Sequence, residues 1–181
     1  GLKAVWVVEP VDGQGGVGEC QAPLPPVDMD NGLLKPFPAM NRPTGSLNSP
    51  ERIELGRLLF FDPVLSGDNS ISCAHCHHPD RGFADGLDFS VGIRGQRTGR
   101  SAPTVWNSAF NKEQFWDGRA STLEDQAKGP IQSPVEMDQK PAELVEELKK
   151  IPGYVEQFDK AFGGQGGSAV TFDNVAAAIA T

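Results

Sequence analysis

The chain has 181 residues, 38% of them hydrophobic and 22% charged, and its 24 acidic against 16 basic side chains leave a net charge of −8. That length suits one compact domain; the acidic balance argues against a nucleic-acid partner, which is held mainly by basic side chains on phosphate, and no run of about 18 apolar residues exists to span a bilayer. Gly (21) and Pro (15) together make up about a fifth of the chain, so short elements joined by long loops are expected.

In chain order, residues 1–45 carry Pro10, Pro23, Pro25, Pro26, Pro36, Pro38 and Pro43 with a Gly13-Gln14-Gly15-Gly16 run, which predicts an irregular, wrapping N-terminal arm. Cys20 lies in it as a lone thiol. The main folded domain is expected over 46–181. Its first helix starts at Ser49, an N-cap followed by Pro50 in the first helical position, with Ile53, Leu55, Leu58 and Leu59 along one face and Asp62-Pro63 as its end.

Next comes Ser72-Cys73-Ala74-His75-Cys76-His77, the Cys-x-x-Cys-His signal of c-type haem attachment. Two thiols separated by two residues on a helical turn match the spacing of the haem vinyl groups. The adjacent His77 is thereby delivered to one face of the iron as the proximal ligand. Tetrahedral zinc would need a second Cys/His pair, and only Cys20, His75 and His78 remain; a thioredoxin-like pair would need a strand before it and a helix after it. Because haem is attached outside the bacterial cytoplasm, the protein is expected to be periplasmic or exported. The chain opens at Gly1 without the basic stretch and apolar core of a signal peptide, as a mature form would.

Residues 79–103 hold five glycines and read as a long loop. Ser121-Thr122-Leu123-Glu124 reads as a capping box for a second helix ending near Gly129-Pro130. Further helices begin at Pro141, with Leu144, Val145, Leu148 and Ile151 inward, and at Pro152, with Tyr154, Val155, Phe158 and Phe162 inward and Gly163 as the stop. Thr171 caps a last helix through Val175, Ala178 and Ile179 that runs on toward Thr181. The expected fold is mostly α: a cytochrome c-like haem domain with long loops.

The sixth iron position separates two functions. An electron carrier fills it, and Met137 is the best-placed candidate, with Met29 and Met40 in the arm as poorer ones. A peroxidase leaves it open and sets a proton-transferring group above it, a task that Glu136, beside Met137, could perform. Spacing alone leaves both readings open. His75 and His78 read as surface residues, and Arg119 as the partner of either a haem propionate or Asp117.

Five segments in unbroken order carry a resemblance: Leu55 to Pro63, Cys73 to Pro79 with Gly82-Phe83-Ala84-Asp85, Ala102 to Asn107, Phe115 to Arg119, and Gln126 through Pro130 to Met137. They are similar to the N-terminal, peroxidatic haem domain of the bacterial di-haem cytochrome c peroxidase family, which includes the MauG-type enzymes. The resemblance implies covalently attached haem c, hydrogen peroxide as oxidant, Glu136 as distal acid–base residue, Gln126 as its hydrogen-bonding partner, Pro130 as a shaping residue and Trp116 as the bridge between two haems. It implies that Met137 packs behind Glu136. The reductant would be an electron-donor protein, basic if it complements the charge of −8, or, in the MauG manner, Trp or Tyr residues of a partner protein would be oxidised. Where many members carry a histidine that blocks the distal face, this chain has Ile93, which implies an open haem ready without activation. Ser101 stands where the family has an asparagine that helps to bind calcium between the haems. A second haem domain is expected to follow in the full family architecture.

Overall fold

A computed structural model describes residues 49–181; the expected arm, Cys20, Met29 and Met40 lie outside the described residues. Helix α1 spans Pro50–Phe61, where Ser49 Oγ accepts the Arg52 N–H at 3.3 Å and Pro50 opens the first turn. The buried face of α1 differs from the expected one: Arg52, Leu55, Gly56 and Leu59 point inward at i, i+3, i+4, i+7 spacing, and Ile53 is 49% exposed. A charged residue takes the inward place because its needs are met there. Arg52 Nε donates to the Ala161 carbonyl at 2.9 Å, and the guanidinium lies 4.3 Å from the centre of the Phe162 ring.

Asp62 ends α1 and ties two elements together. Its Oδ1 accepts the Val64 N–H at 2.9 Å, capping a 3₁₀ turn at Pro63–Leu65, and its Oδ2 accepts the Tyr154 hydroxyl at 2.6 Å. Helix α2 is the single turn Cys73–Cys76. From there to residue 122 the chain is loop with 3₁₀ turns at Pro79–Arg81, Ile93–Gly95 and Ser108–Phe110, so the long loop expected over 79–103 extends further, and it is stitched by isolated antiparallel bridges at His78/Ala84, Val91/Arg97 and Gln114/Ala120.

Helix α3, Leu123–Gln132, departs from expectation at both ends. Its cap is Thr122, whose Oγ1 accepts the Asp125 N–H at 3.1 Å, so the capping pair sits one residue later than the Ser121/Glu124 box. The helix also passes through Pro130, which forfeits the N–H bond to the Gln126 carbonyl and only two residues later reaches the helix end, where few further bonds are at stake. Helices α4 (Pro141–Lys149) and α5 (Pro152–Phe162) begin on their prolines, and Gly163 closes α5 at φ 77°. Ile151, expected in the core, is instead the exposed N-cap of α5, and Val145, Val155 and Phe162 are half-buried where Ala161 is buried. Helix α6, Phe172–Ile179, is capped by Thr171 and ends before Thr181, with Ala176 buried beside Val175 and Ala178.

The core gathers Leu55, Leu59, Ile131, Met137, Leu144, Phe158 and Val175 from α1, α3 to α6 and the loop after α3. Helices α1 and α6 approach so closely that a Cβ on Gly56 would overlap the Ala178 carbonyl. Among the described residues no helix is long and apolar enough to cross a membrane.

Burial, and then the Asp62 carboxylate, push the Tyr154 phenol well above its usual range. The phenol therefore stays protonated in the folded chain while an unfolded one ionises near pH 10, so its stabilisation holds below about pH 10 and falls as pH rises beyond it. Tyr154→Phe should cost about 1.5–3 kcal/mol at neutral pH and flatten the loss of stability above pH 10, as read by denaturant unfolding across that range.

Candidate haem-binding site

The attachment motif folds as its spacing requires. Ser72 leads into the turn, and the His77 N–H closes it on the Cys73 carbonyl at 3.0 Å, leaving both thiols and the imidazole on one short element. The His77 ring is held from behind. Its Nδ1 faces the carbonyls of Phe83 and Pro103, each at 3.1 Å, so Nδ1 carries the proton and Nε2 is left with the lone pair. That is the tautomer and the anchoring which a metal-ligating histidine needs. Phe83 reaches this place at φ 56°, a conformation costly for an aromatic residue, just after Gly82 at φ 64°. Thr104 Oγ1 donates to the Gly82 carbonyl at 2.5 Å and joins the two supporting loops.

Burial above all pushes the Cys73 thiol up to about 12 and the Cys76 thiol up to about 11, the latter also through the nearby carboxylates of Asp85 and Glu136. Among the described residues no three His, Cys, Asp or Glu side chains converge to hold a metal ion. His75 is exposed with Nε2 3.0 Å from the Val91 carbonyl, and His78 is exposed with Nδ1 3.9 Å from Asp80. Two neutral thiols, a properly tautomerised His77 and the Phe60 ring centred 6.3 Å from it fit haem c.

Glu136 is placed by the turn that follows α3. The Ser133 carbonyl accepts the N–H groups of Glu136 at 3.0 Å and Asp138 at 2.9 Å, and the Pro130 carbonyl accepts that of Met137 at 3.2 Å. Met137 enters the core at 4% exposure while Glu136 stays half-buried, near enough to act electrostatically on Cys76. The glycine-rich loop docks on the same turn: Ile93 donates its N–H to the Glu136 carbonyl at 2.7 Å, and a Cβ on Gly92 would lie 2.8 Å from Glu136 Cα. Ile93 itself is fully buried. Arg94 locks the arrangement from outside through Asp138 at 2.7 Å.

Gln126 and Pro130 are one turn apart on α3, both half-buried, flanking the buried pair Ala127 and Ile131. The main-chain bond from Met137 brings Pro130 to the Glu136 turn. Trp116 stands on a separate loop and is 66% exposed, its Nε1 donating to the Ser101 carbonyl at 3.0 Å. That loop meets α3 through Phe115, whose ring occupies the space beside Gly129. Arg119 is paired with Asp117 at 2.8 Å and lies 3.4 Å from the Phe115 ring centre; Arg100, then Arg119, hold the Asp117 carboxyl down at about 2.

Three contributors lie in segments that carry the resemblance but are not singled out by it as site residues. The carbonyls of Phe83 and Pro103 are main-chain groups, and only Gly82 hinted at the sharp turn. Asp85 is 5% exposed, with one carboxylate oxygen accepting the Leu87 N–H at 3.0 Å and the other lacking a protein partner.

Raised thiols imply a test on haem-free protein. Iodoacetamide at pH 8 should label Cys76 about tenfold or more slowly in the folded chain than in the same chain in urea, because little thiolate forms; equal rates by mass spectrometry would contradict the half-buried, neutral thiol.

A family model described as di-haem cytochrome c peroxidase matches residues 50–181. The chain is 46% identical over 153 residues to the cytochrome c551 peroxidase of Pseudomonas aeruginosa, covering 84% of this chain and 44% of that protein. It is 44% identical over 133 residues to the methylamine utilization protein MauG of Methylorubrum extorquens, covering 74% and 37%. Among solved structures, a MauG-like protein associated with microbial copper homeostasis superposes with a TM-score of 0.73 at 32% identity, covering 83% of this chain and 45% of that one. The diheme peroxidase BthA of Burkholderia thailandensis gives 0.62 at 28% identity, covering 74% and 39%. The chain thus spans less than half the length of these relatives. With the attachment turn, the anchored imidazole and the Glu136 turn all present, it belongs to the di-haem cytochrome c peroxidase family.

Proposed function

We propose that residues 46–181 form the peroxide-reducing haem c domain of a periplasmic two-haem oxidoreductase. Cys73 and Cys76 would hold the haem through thioether bonds, and His77 Nε2, left with the lone pair, would ligate its iron. When bound, the haem supplies the iron at which peroxide is reduced. Glu136 takes a proton from the inner peroxide oxygen and returns it to the outer one as water departs. Gln126 orients that exchange through its amide, Pro130 shapes the wall beside it, and Trp116 carries electrons toward the second haem expected in the family architecture. An electron-donor protein is the reductant, and the net charge of −8 favours a basic one.

The observation that carries this reading is the division of labour between adjacent residues: Met137 is committed to the core at 4% exposure, while Glu136 stays half-buried and acts electrostatically on Cys76. Burial of Ile93, with its N–H on the Glu136 carbonyl, supports a distal face that no side chain of this loop closes. The same feature favours a second reading, a MauG-type oxidation of Trp or Tyr residues in a partner protein. Mass spectrometry of a co-purifying protein before and after peroxide separates the two.

Glu136→Gln should lower peroxide turnover by about 10²- to 10⁴-fold with haem content unchanged; unaltered turnover removes Glu136 from the proton transfer. The ferric absorption spectrum should lack a methionine–iron charge-transfer band. Its presence would make Met137 the sixth ligand and the protein an electron carrier.

A further inference from the structure

The described residues contain two tryptophans, and the proposed reaction gives a role to one. The other, Trp106, is 64% exposed, on the loop that begins with Pro103. It is held there by its own N–H, which donates to Thr104 Oγ1 at 3.2 Å, and Thr104 in turn is tied to Gly82.

Behind Trp106 a continuous run of rings leads inward. The Trp106 ring centre is 6.2 Å from that of Phe83, Phe83 is 6.1 Å from Phe60, and Phe60 is 6.3 Å from His77. All three spacings fall within the range of direct aromatic contact. A shorter route runs beside it: His77 Nδ1–H donates to the Phe83 carbonyl at 3.1 Å, so one hydrogen bond and one ring contact join Trp106 to the proximal imidazole. Phenylalanine rings resist oxidation and serve as the medium. Indole is readily oxidised and serves as a terminus. Tyr154, the single tyrosine, is buried and spends its hydroxyl on Asp62. Trp116 shows no comparable ring contact and is bonded to Ser101.

We infer that Trp106 is a redox-active surface residue through which one-electron donors too large for the haem pocket deliver electrons to the His77 side of the haem, bypassing the second haem. This rests on the proposed peroxide reaction. Reduction of hydrogen peroxide to two waters takes two electrons and two protons. Each electron leaves the Trp106 indole, whose N–H proton passes to solvent, and the resulting neutral indolyl radical is restored by one electron from the donor and one proton from solvent. Two such cycles complete the turnover.

The test uses the full-length, haem-loaded protein. Peroxide is added without donor but with the radical trap 2-methyl-2-nitrosopropane, and peptide mass mapping should find the trap on Trp106 and lose it there in Trp106→Phe. In a Trp116→Phe background, which weakens the route through the second haem, whatever oxidation of reduced cytochrome c remains should fall about tenfold on adding Trp106→Phe and be largely regained with Trp106→Tyr, which restores an oxidisable ring. Haem content and absorption spectrum should match the parent in each variant. A trap adduct confined to Trp116, or a Trp106→Phe/Trp116→Phe double variant whose donor rate stays within twofold of Trp116→Phe alone, overturns the inference while leaving the peroxide reaction standing. Absence of peroxide consumption in the parent overturns both.

Discussion

One imidazole proton organises the haem-facing half of the molecule. His77 Nδ1–H is shared between carbonyls from two loops, Phe83 and Pro103, that are separated by twenty residues of chain yet tied together by the Thr104 hydroxyl on Gly82. A neutral imidazole has one proton to give, and giving it here commits the lone pair to Nε2. Tautomer, ring orientation and loop placement are thus a single choice. The left-handed backbone at Phe83 is a local cost of order 1–3 kcal/mol, met by the surrounding bonds.

The turn that carries Glu136 is built with equal economy, from main chain. Ser133, Pro130 and Ile93 between them fix the peptide groups on both sides of Glu136, so the side chain most important to the proposed chemistry is positioned by groups that mutation of neighbouring side chains does not remove. Gly92 is required by this packing, since its backbone touches that of Glu136. The glycine-rich loop brings Ile93 here, its side chain buried and its main-chain N–H bracing the turn.

Much of this could be read from the chain. The attachment motif, four helix starts at Ser49–Pro50, Pro141, Pro152 and Thr171, and the Gly163 stop all depend on local chemistry, which sequence carries directly. What was misread depends on contacts far along the chain. Arg52 is buried because a carbonyl and a ring over 100 residues away await it, and Ile53 is displaced to the surface as a result. Ser121 and Thr122 offer equivalent caps, and nothing local selects the second. Pro130 looked like a stop, yet lies close enough to the helix end for the helix to continue. Within the site, local spacing alone marked Cys73, Cys76 and His77 as the candidate attachment residues, whereas the different burial of Met137 and Glu136 depends on the turn after α3, which no local pattern announces.

The proline in α3 also leaves something behind. In a regular helix the carbonyl of Gln126 would be consumed by the N–H four residues on, and Pro130 has none to offer. Gln126 therefore brings two acceptors to its turn, an amide oxygen that evolution can exchange and a peptide oxygen that it cannot. The two half-buried residues of this helix face are coupled in that sense, one presenting a lone pair and the other declining to cover it.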